Sequence, residues 1–267
     1  MKRITLLFMI LSMLSCKKTE IAGFHDKPVV ESYLYADSIP RVKISKLVPF
    51  STDMAMSTTE INQLEVTITE QSSGKAYKLA SLGQGIYENK DLKIVEGNNY
   101  QLSFPYNGLL VTASTTIPGK PLQVTLSAKS MIIAQRGEPG LGGGGPPTMP
   151  TPITIKWNNT DQGYYLLVAK NIEKIQERIN AGPNATGAFF RNQPTNTGST
   201  ELNSQSFKYY GYYLITLFKI QPEYVIFFQE TSNSSLSLTE ITANIKNGYG
   251  IFTGINCFET YVLVGKP

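Results

Sequence analysis

Two cysteines, one histidine and a small stock of aspartates are the residues here most able to carry chemistry. Cys16 follows an apolar run directly, in Met13-Leu14-Ser15-Cys16, and precedes Lys17-Lys18. That placement suits lipid modification. The thiolate accepts a diacylglycerol group, and the small Ser15 lets a peptidase reach the bond before it. An ordinary signal peptide with an incidental cysteine is the alternative. With Cys16 acylated, Cys257 has no disulfide partner, and no nearby histidine could activate it. It is expected to be a small buried hydrophobe. His25 lies in a polar stretch, so a Ser-His-Asp triad would need that stretch to fold back into a cleft. The aspartates are Asp26, Asp37, Asp53, Asp91 and Asp161, with no Asp-x-Asp-x-Asp spacing for calcium. Zinc is disfavoured by the shortage of His and Cys ligands. Two carboxylates for glycoside hydrolysis could come from the 15 Glu, but no motif nominates a pair. The expectation is a protein with no catalytic residues, no metal and no cofactor.

The aromatic residues suggest binding instead. Tyr209, Tyr210, Tyr212 and Tyr213 flank Gly211, so their rings fall on both faces of a strand. Such rings can form a stacking platform for sugars or an anchor for a protein partner. One buried and one half-covered face of a sandwich would use the same residues. Phe189, Phe190 and Arg191 form a compact aromatic-arginine group of the kind enriched at interface hot spots. The alternative is that the two phenylalanines tack a loop onto the sandwich. Gly142 to Gly145 precede Pro146-Pro147, which excludes the strand-to-helix junction of a phosphate loop.

The amino terminus has Lys2 and Arg3, then the apolar run Ile4 to Leu14. That run is too short for a bilayer helix of about 20 residues and reads as a secretory signal peptide over 1–15. Residues 16–27 form a lipidated tether, and the acyl chains on Cys16 are the expected membrane attachment. Removing Lys2 and Arg3 leaves 22 Lys and Arg against 20 Asp and Glu. This balance gives no electrostatic case for nucleic acid.

Charged residues are 16% of the chain, against about 25% in an average soluble protein, and aromatics reach 10%. Together with 22 Gly and 15 Pro, this indicates a β-rich protein. From 28 to 117 apolar residues recur with period two, as in Val30-Ser32-Leu34 and Leu64-Val66-Ile68. Asn107-Gly108 fits a type I′ turn between Tyr100 and Ala113. Pro118 and Pro121 mark a boundary at 117–122. Beyond it, 122–267 reads as a second strand-rich unit with long loops at 136–152 and 181–206. Ile172, Ile175 and Ile179 allow one short helix. Phe207–Ile220 and Tyr224–Gln229 read as a hairpin across Gln221-Pro222-Glu223. Ser237 to Glu240 matches a capping box. The fold class is therefore all-β: two immunoglobulin-like or transthyretin-like β-sandwich domains in tandem, with little helix.

The order of several short motifs resembles the DUF4249 family of Bacteroidetes envelope lipoproteins. They are the lipobox, Val29-Val30-Glu31-Ser32-Tyr33-Leu34, Arg41-Val42-Lys43-Ile44-Ser45 and Gly85-Ile86-Tyr87. Tyr100-Gln101-Leu102, Ile117-Pro118 and the run Asn244 to Phe252 complete the set. The resemblance implies a non-enzymatic outer-membrane lipoprotein, its leaflet left open, that works beside a TonB-dependent β-barrel receptor in ligand capture or protein interaction. A glycan-binding module or weak glycoside hydrolase using the Tyr-rich strand is the competing reading. In that phylum Asp37-Ser38-Ile39 also resembles an O-glycosylation triplet on Ser38; a plain turn before Pro40 is the alternative.

Overall fold

A computed structural model describes residues 26–47, 60–134, 149–179, 189–233 and 243–267. The expected signal peptide, Cys16, His25, most of the glycine-rich loop and the expected capping box at Ser237–Glu240 lie outside the described residues. The architecture is all-β, with open sheets.

The largest sheet has nine strands. Four come from the first part of the chain: β1 (Pro28–Tyr35), β2 (Arg41–Lys46), β5 (Ala80–Gly83) and β6 (Ile86–Glu88). Five come from the rest: β10 (Ser130–Ile132), β12 (Tyr164–Asn171), β13 (Phe189–Arg191), β15 (Gly211–Ile220) and β16 (Tyr249–Gly265). Their order is β13-β12-β15-β16-β1-β2-β6-β5, with β10 also paired to β16. A four-stranded sheet contains β3 (Thr67–Glu70), β4 (Lys75–Lys78), β7 (Asn99–Tyr106) and β8 (Leu109–Thr116). A three-stranded sheet contains β9 (Leu122–Leu126), β11 (Ile153–Asn158) and β14 (Ser199–Leu202).

Alternation explains how these layers stack. In β1, Val30, Ser32 and Leu34 are buried while Glu31 and Tyr35 are exposed. Val30 and Leu34 join Val42, Ile44 and Tyr87 against Ile68, Leu102, Phe104 and Val111 of the four-stranded sheet. The buried Ser32 hydroxyl donates to Arg41 O at 2.9 Å, so that it is not an unmet polar group in the core. A second core sets Tyr165, Leu167, Tyr213, Ile215, Leu217 and Val262 against Ile153, Ile155, Trp157 and Leu202. Two smaller sheets thus roof the two halves of one large sheet, each over its own apolar layer.

The chain boundary at 117–122 separates the two roofs, but the sheet beneath is continuous. β16 pairs in parallel with β1, from Val29↔Tyr249 to Tyr35↔Ile255. It then pairs antiparallel with β15, from Ile220↔Ile255 to Gly211↔Val264. Ile245 and Phe252 accordingly belong to the first core. The division 28–117 and 122–267 therefore needs correction: the stretch 243–255 completes the first layer. A parallel pairing with a distant strand leaves no local turn signal, so sequence spacing does not reveal it. Asn244 closes the free edge there. Its side chain donates to Phe252 O at 2.6 Å and accepts from Phe252 N at 3.2 Å.

The hairpin at Asn107-Gly108 forms with φ of 48° and 76°, the positive values a type I′ turn requires. Elsewhere the local expectations fail. Tyr224–Gln229 is not a strand, since Pro222–Asn233 is a helix, α1. Pro222 occupies the first helical position, where its missing N–H costs nothing, and Glu223 complements the amino-terminal dipole. Tyr224 N donates back to Gln221 O at 3.0 Å. The apolar run 224–228 has no clean periodicity, and tertiary packing decides it. Residues 172–179 are not helical: Ile179 is buried whereas Ile175 is exposed. The described part of the 181–206 loop contains β13, β14 and a 3-10 turn at Ser204–Ser206. No helix among the described residues is long and apolar enough to cross a membrane.

Candidate functional site

The nine-stranded sheet has one face on the cores and one face away from them. Registry assigns side chains to each. Ala169, opposite Phe190, faces the second core, so its β12 neighbours Val168 and Lys170 face out with their partners Arg191 and Phe189. On β15, Tyr213, Ile215 and Leu217 point inward, leaving Tyr212, Leu214, Thr216 and Phe218 outside. On β16, Val262 and Val264 point inward, leaving Cys257, Glu259, Tyr261 and Leu263 outside. On β1, Tyr33 and Tyr35 stand opposite the buried Val30 and Leu34.

Helix α1 lies across part of this outer face. Tyr224 meets Tyr33 edge to face at 6.2 Å, and Phe218 meets Tyr35 at 6.5 Å. The Arg191 guanidinium sits 4.8 Å from the Phe228 ring. Burial raises the Tyr33 hydroxyl well above its ordinary range, with Glu31 adding to the effect. Burial also raises Tyr224, and Arg191 opposes it. Both phenols therefore remain neutral hydrogen-bonding groups at physiological pH. Beside the helix the face is open: Phe189 is 61% exposed, Tyr212 52% and Tyr261 55%. Tyr212 pairs with Leu263, and Leu214 with Tyr261, so the two tyrosines are diagonal neighbours.

Of the residues singled out in the sequence, the structure brings Phe189, Arg191 and Tyr212 to this face. It sends the others elsewhere. Phe190 packs against the second core. Tyr209, Tyr210 and Tyr213 are buried. The Tyr210 hydroxyl donates to Ile133 O at 3.0 Å, and the Tyr213 hydroxyl accepts from Lys208 N and Tyr209 N. The four-tyrosine platform thus reduces to one exposed ring. Tyr33, Tyr35, Phe218, Tyr224 and Tyr261 belong to the outer face but escaped the sequence reading. Alternation against Val30-Leu34 and Val262-Val264 was the available signal. Ser38 lies in a turn after Asp37 (φ 63°) and donates to Tyr35 O at 2.7 Å.

Cys257 is half-buried on the outer face rather than in a core. Burial raises its thiol pKa, Glu259 adds to this, and Lys120 opposes it. Since the thiolate is the reactive form, Cys257 should react with a disulfide reagent at pH 8 about tenfold more slowly than a free thiol. Unfolding in denaturant should restore the ordinary rate. Equal rates before and after unfolding would contradict this.

A separate cleft of about 290 Å³ lies where the inter-roof linker crosses the sheet, lined by Pro118, Gly119, Asp161, Tyr164, Lys219 and Gln221 among others. The Lys219 ammonium pairs with Asp161 at 2.5 Å. The hydrogen bond from Lys219 holds the Asp161 carboxyl below its usual range. Asp161 is the one carboxylate lining the cleft. Among the described residues no three His, Cys, Asp or Glu side chains gather as a metal site.

The fold defines an all-β sandwich protein whose distinguishing surface is an aromatic sheet face partly covered by a single helix. The chain belongs to the DUF4249 family, a domain of unknown function, whose model matches residues 18–260. No curated protein matches it.

Proposed function

We propose that the protein is a non-enzymatic lipoprotein of the outer membrane, anchored through Cys16, that serves as an accessory partner of a TonB-dependent β-barrel receptor. The partner meets the outer face of the nine-stranded sheet. The observation that carries this reading is the shared exposure of Phe189, Tyr212 and Tyr261 beside Arg191. Aromatic rings and arginine are the residue types that dominate interface energetics. Monomeric proteins rarely leave large contiguous apolar patches open to water.

A second reading rests on the diagonal placement of Tyr212 and Tyr261, which suits stacking on a sugar ring. Mild cross-linking in cells followed by purification separates the two. The receptor reading expects a β-barrel protein to come down with the parent chain. Changing Phe189, Tyr212 and Tyr261 to Ser should reduce that recovery at least about tenfold, without a change in melting temperature. Absence of any barrel partner, with oligosaccharide binding lost in the triple variant, would transfer the face to glycans. Cys16→Ser should abolish acyl labelling and release the protein from membranes. Persistent labelling would overturn the anchor.

A further inference from the structure

We propose that the tip of the β7–β8 hairpin rests in the surface of the bilayer that holds the acyl chains of Cys16. This inference rests on the lipid-anchor reading and adds an orientation to it. Three observations converge on the tip.

The first is where the tether ends. The Asp26 carboxylate accepts from the Tyr106 hydroxyl at 3.1 Å and from Asn107 Nδ2 at 2.6 Å. The chain from the anchor is thus fastened to the hairpin turn itself. Ten residue steps separate Cys16 from Asp26. Fully extended they span about 35 Å, and as a flexible coil about 17 Å. The tether therefore holds the tip within about 35 Å of the headgroups, and within about 17 Å as a flexible coil.

The second is the character of the tip. Hairpin turns facing water carry polar residues, and Asn107-Gly108 satisfies the turn. Immediately after it, Leu109 is 54% and Leu110 56% exposed. Pro105, the registry partner of Leu110, is also exposed. Among the described residues, this small apolar cap belongs to neither apolar core.

The third is charge. Lys27, next to the fastened Asp26, lies 5.4 Å from the Tyr249 ring. Lys246 is exposed and bridges by its backbone to Thr112, two residues beyond Leu110. Asn247 Nδ2 donates to Leu110 O at 2.9 Å, which fixes the strand leading from the tip. Leucines at the apex with lysines set behind them match the order of acyl chains and anionic headgroups in a bilayer surface.

The test uses the mature chain beginning at Cys16, with Cys257→Ser so that one thiol remains. It is coupled through Cys16 to maleimide-bearing lipid in phosphatidylethanolamine–phosphatidylglycerol vesicles, some with brominated acyl chains. The native Trp157, in the second core, serves as the internal reference. A Leu110→Trp variant should show an added blue-shifted emission that brominated lipid quenches, with Trp157 emission unchanged. Leu122→Trp, at an exposed site on the other roof, should not be quenched. An unquenched Leu110→Trp overturns the proposal, and so does equal quenching at Leu110 and Leu122. Because the coupled chain carries an anchor regardless of what the cell attaches, failure of acyl labelling would sink the anchor reading separately.

Discussion

Gly250→Val is expected to cost more than about 4 kcal/mol, or to prevent folding altogether. Gly250 has φ +97°, a backbone conformation that side chains rarely adopt. A Cβ there would also fall within the van der Waals radius of Val30 O. Neither problem has a flexible remedy, because the obstructing atom is backbone in the parallel ladder between β1 and β16. The consequence should reach beyond the first core. β16 continues into the ladder with β15, so loss of its register removes a wall of the second core as well. Trp157 fluorescence, which reports on the second core, should fall at the same denaturant midpoint as the far-ultraviolet circular dichroism of the whole protein. Gly250→Ala brings the same Cβ against Val30 O and should shift both probes together wherever the variant folds. Two separated transitions, or an effect confined to the first core, would refute the shared-sheet account.

Tyr213→Phe is expected to cost about 2–3 kcal/mol despite removing a single oxygen. That oxygen accepts from Lys208 N at 3.2 Å and Tyr209 N at 3.0 Å, and it donates to Tyr209 O at 3.0 Å. Removing it leaves buried donors unmet, the expensive half of hydrogen-bond energetics. A tyrosine bonded to the backbone a few residues upstream is how some sandwiches fasten a corner. Its ring also packs at 4.9 Å on Phe207, so Tyr213→Ala should cost about 3–5 kcal/mol. Tyr212→Ala, one residue away on the exposed face, should stay within about 0.5 kcal/mol of the parent. Urea denaturation of the three variants gives the comparison. Equal losses at 212 and 213 would mean that the two faces of β15 are wrongly assigned.

Period-two patterning made the β class legible, because inward residues such as Val30, Val42, Ile44 and Leu102 alternate with polar ones. Turn chemistry made the Asn107-Gly108 hairpin legible, since few sequences tolerate two successive positive φ values. What was not legible was long-range. The pairing of Val30 with Gly250 joins residues 220 positions apart, and no local rule encodes it. The helix at 222–233 was missed because β-branched and aromatic residues argue for a strand, whereas Pro222 argues for a helix start. The candidate face was half visible. Composition identified Tyr212 and Arg191, but only strand registry separates Tyr212 from the buried Tyr213 or Phe189 from Phe190.

The pairing of β1 with β16 has a mechanical meaning. If the chain is tethered through Cys16 as proposed, load first meets the Asp26 contacts with the β7–β8 hairpin and then enters β1 at Pro28. β1 is flanked by β2 on one side and by β16 on the other. A pull along the strand strains both ladders in shear, so their hydrogen bonds share the force instead of opening one at a time. Resistance to such a pull is set by the unfolding rate rather than by equilibrium stability. From β1 the tension passes into the 17 residues of β16, whose far end carries Tyr261. In the proposed arrangement, anchor and partner face would be joined through the β1–β16 ladder and the backbone of β16, so that a receptor tugging at one end would be held by the other.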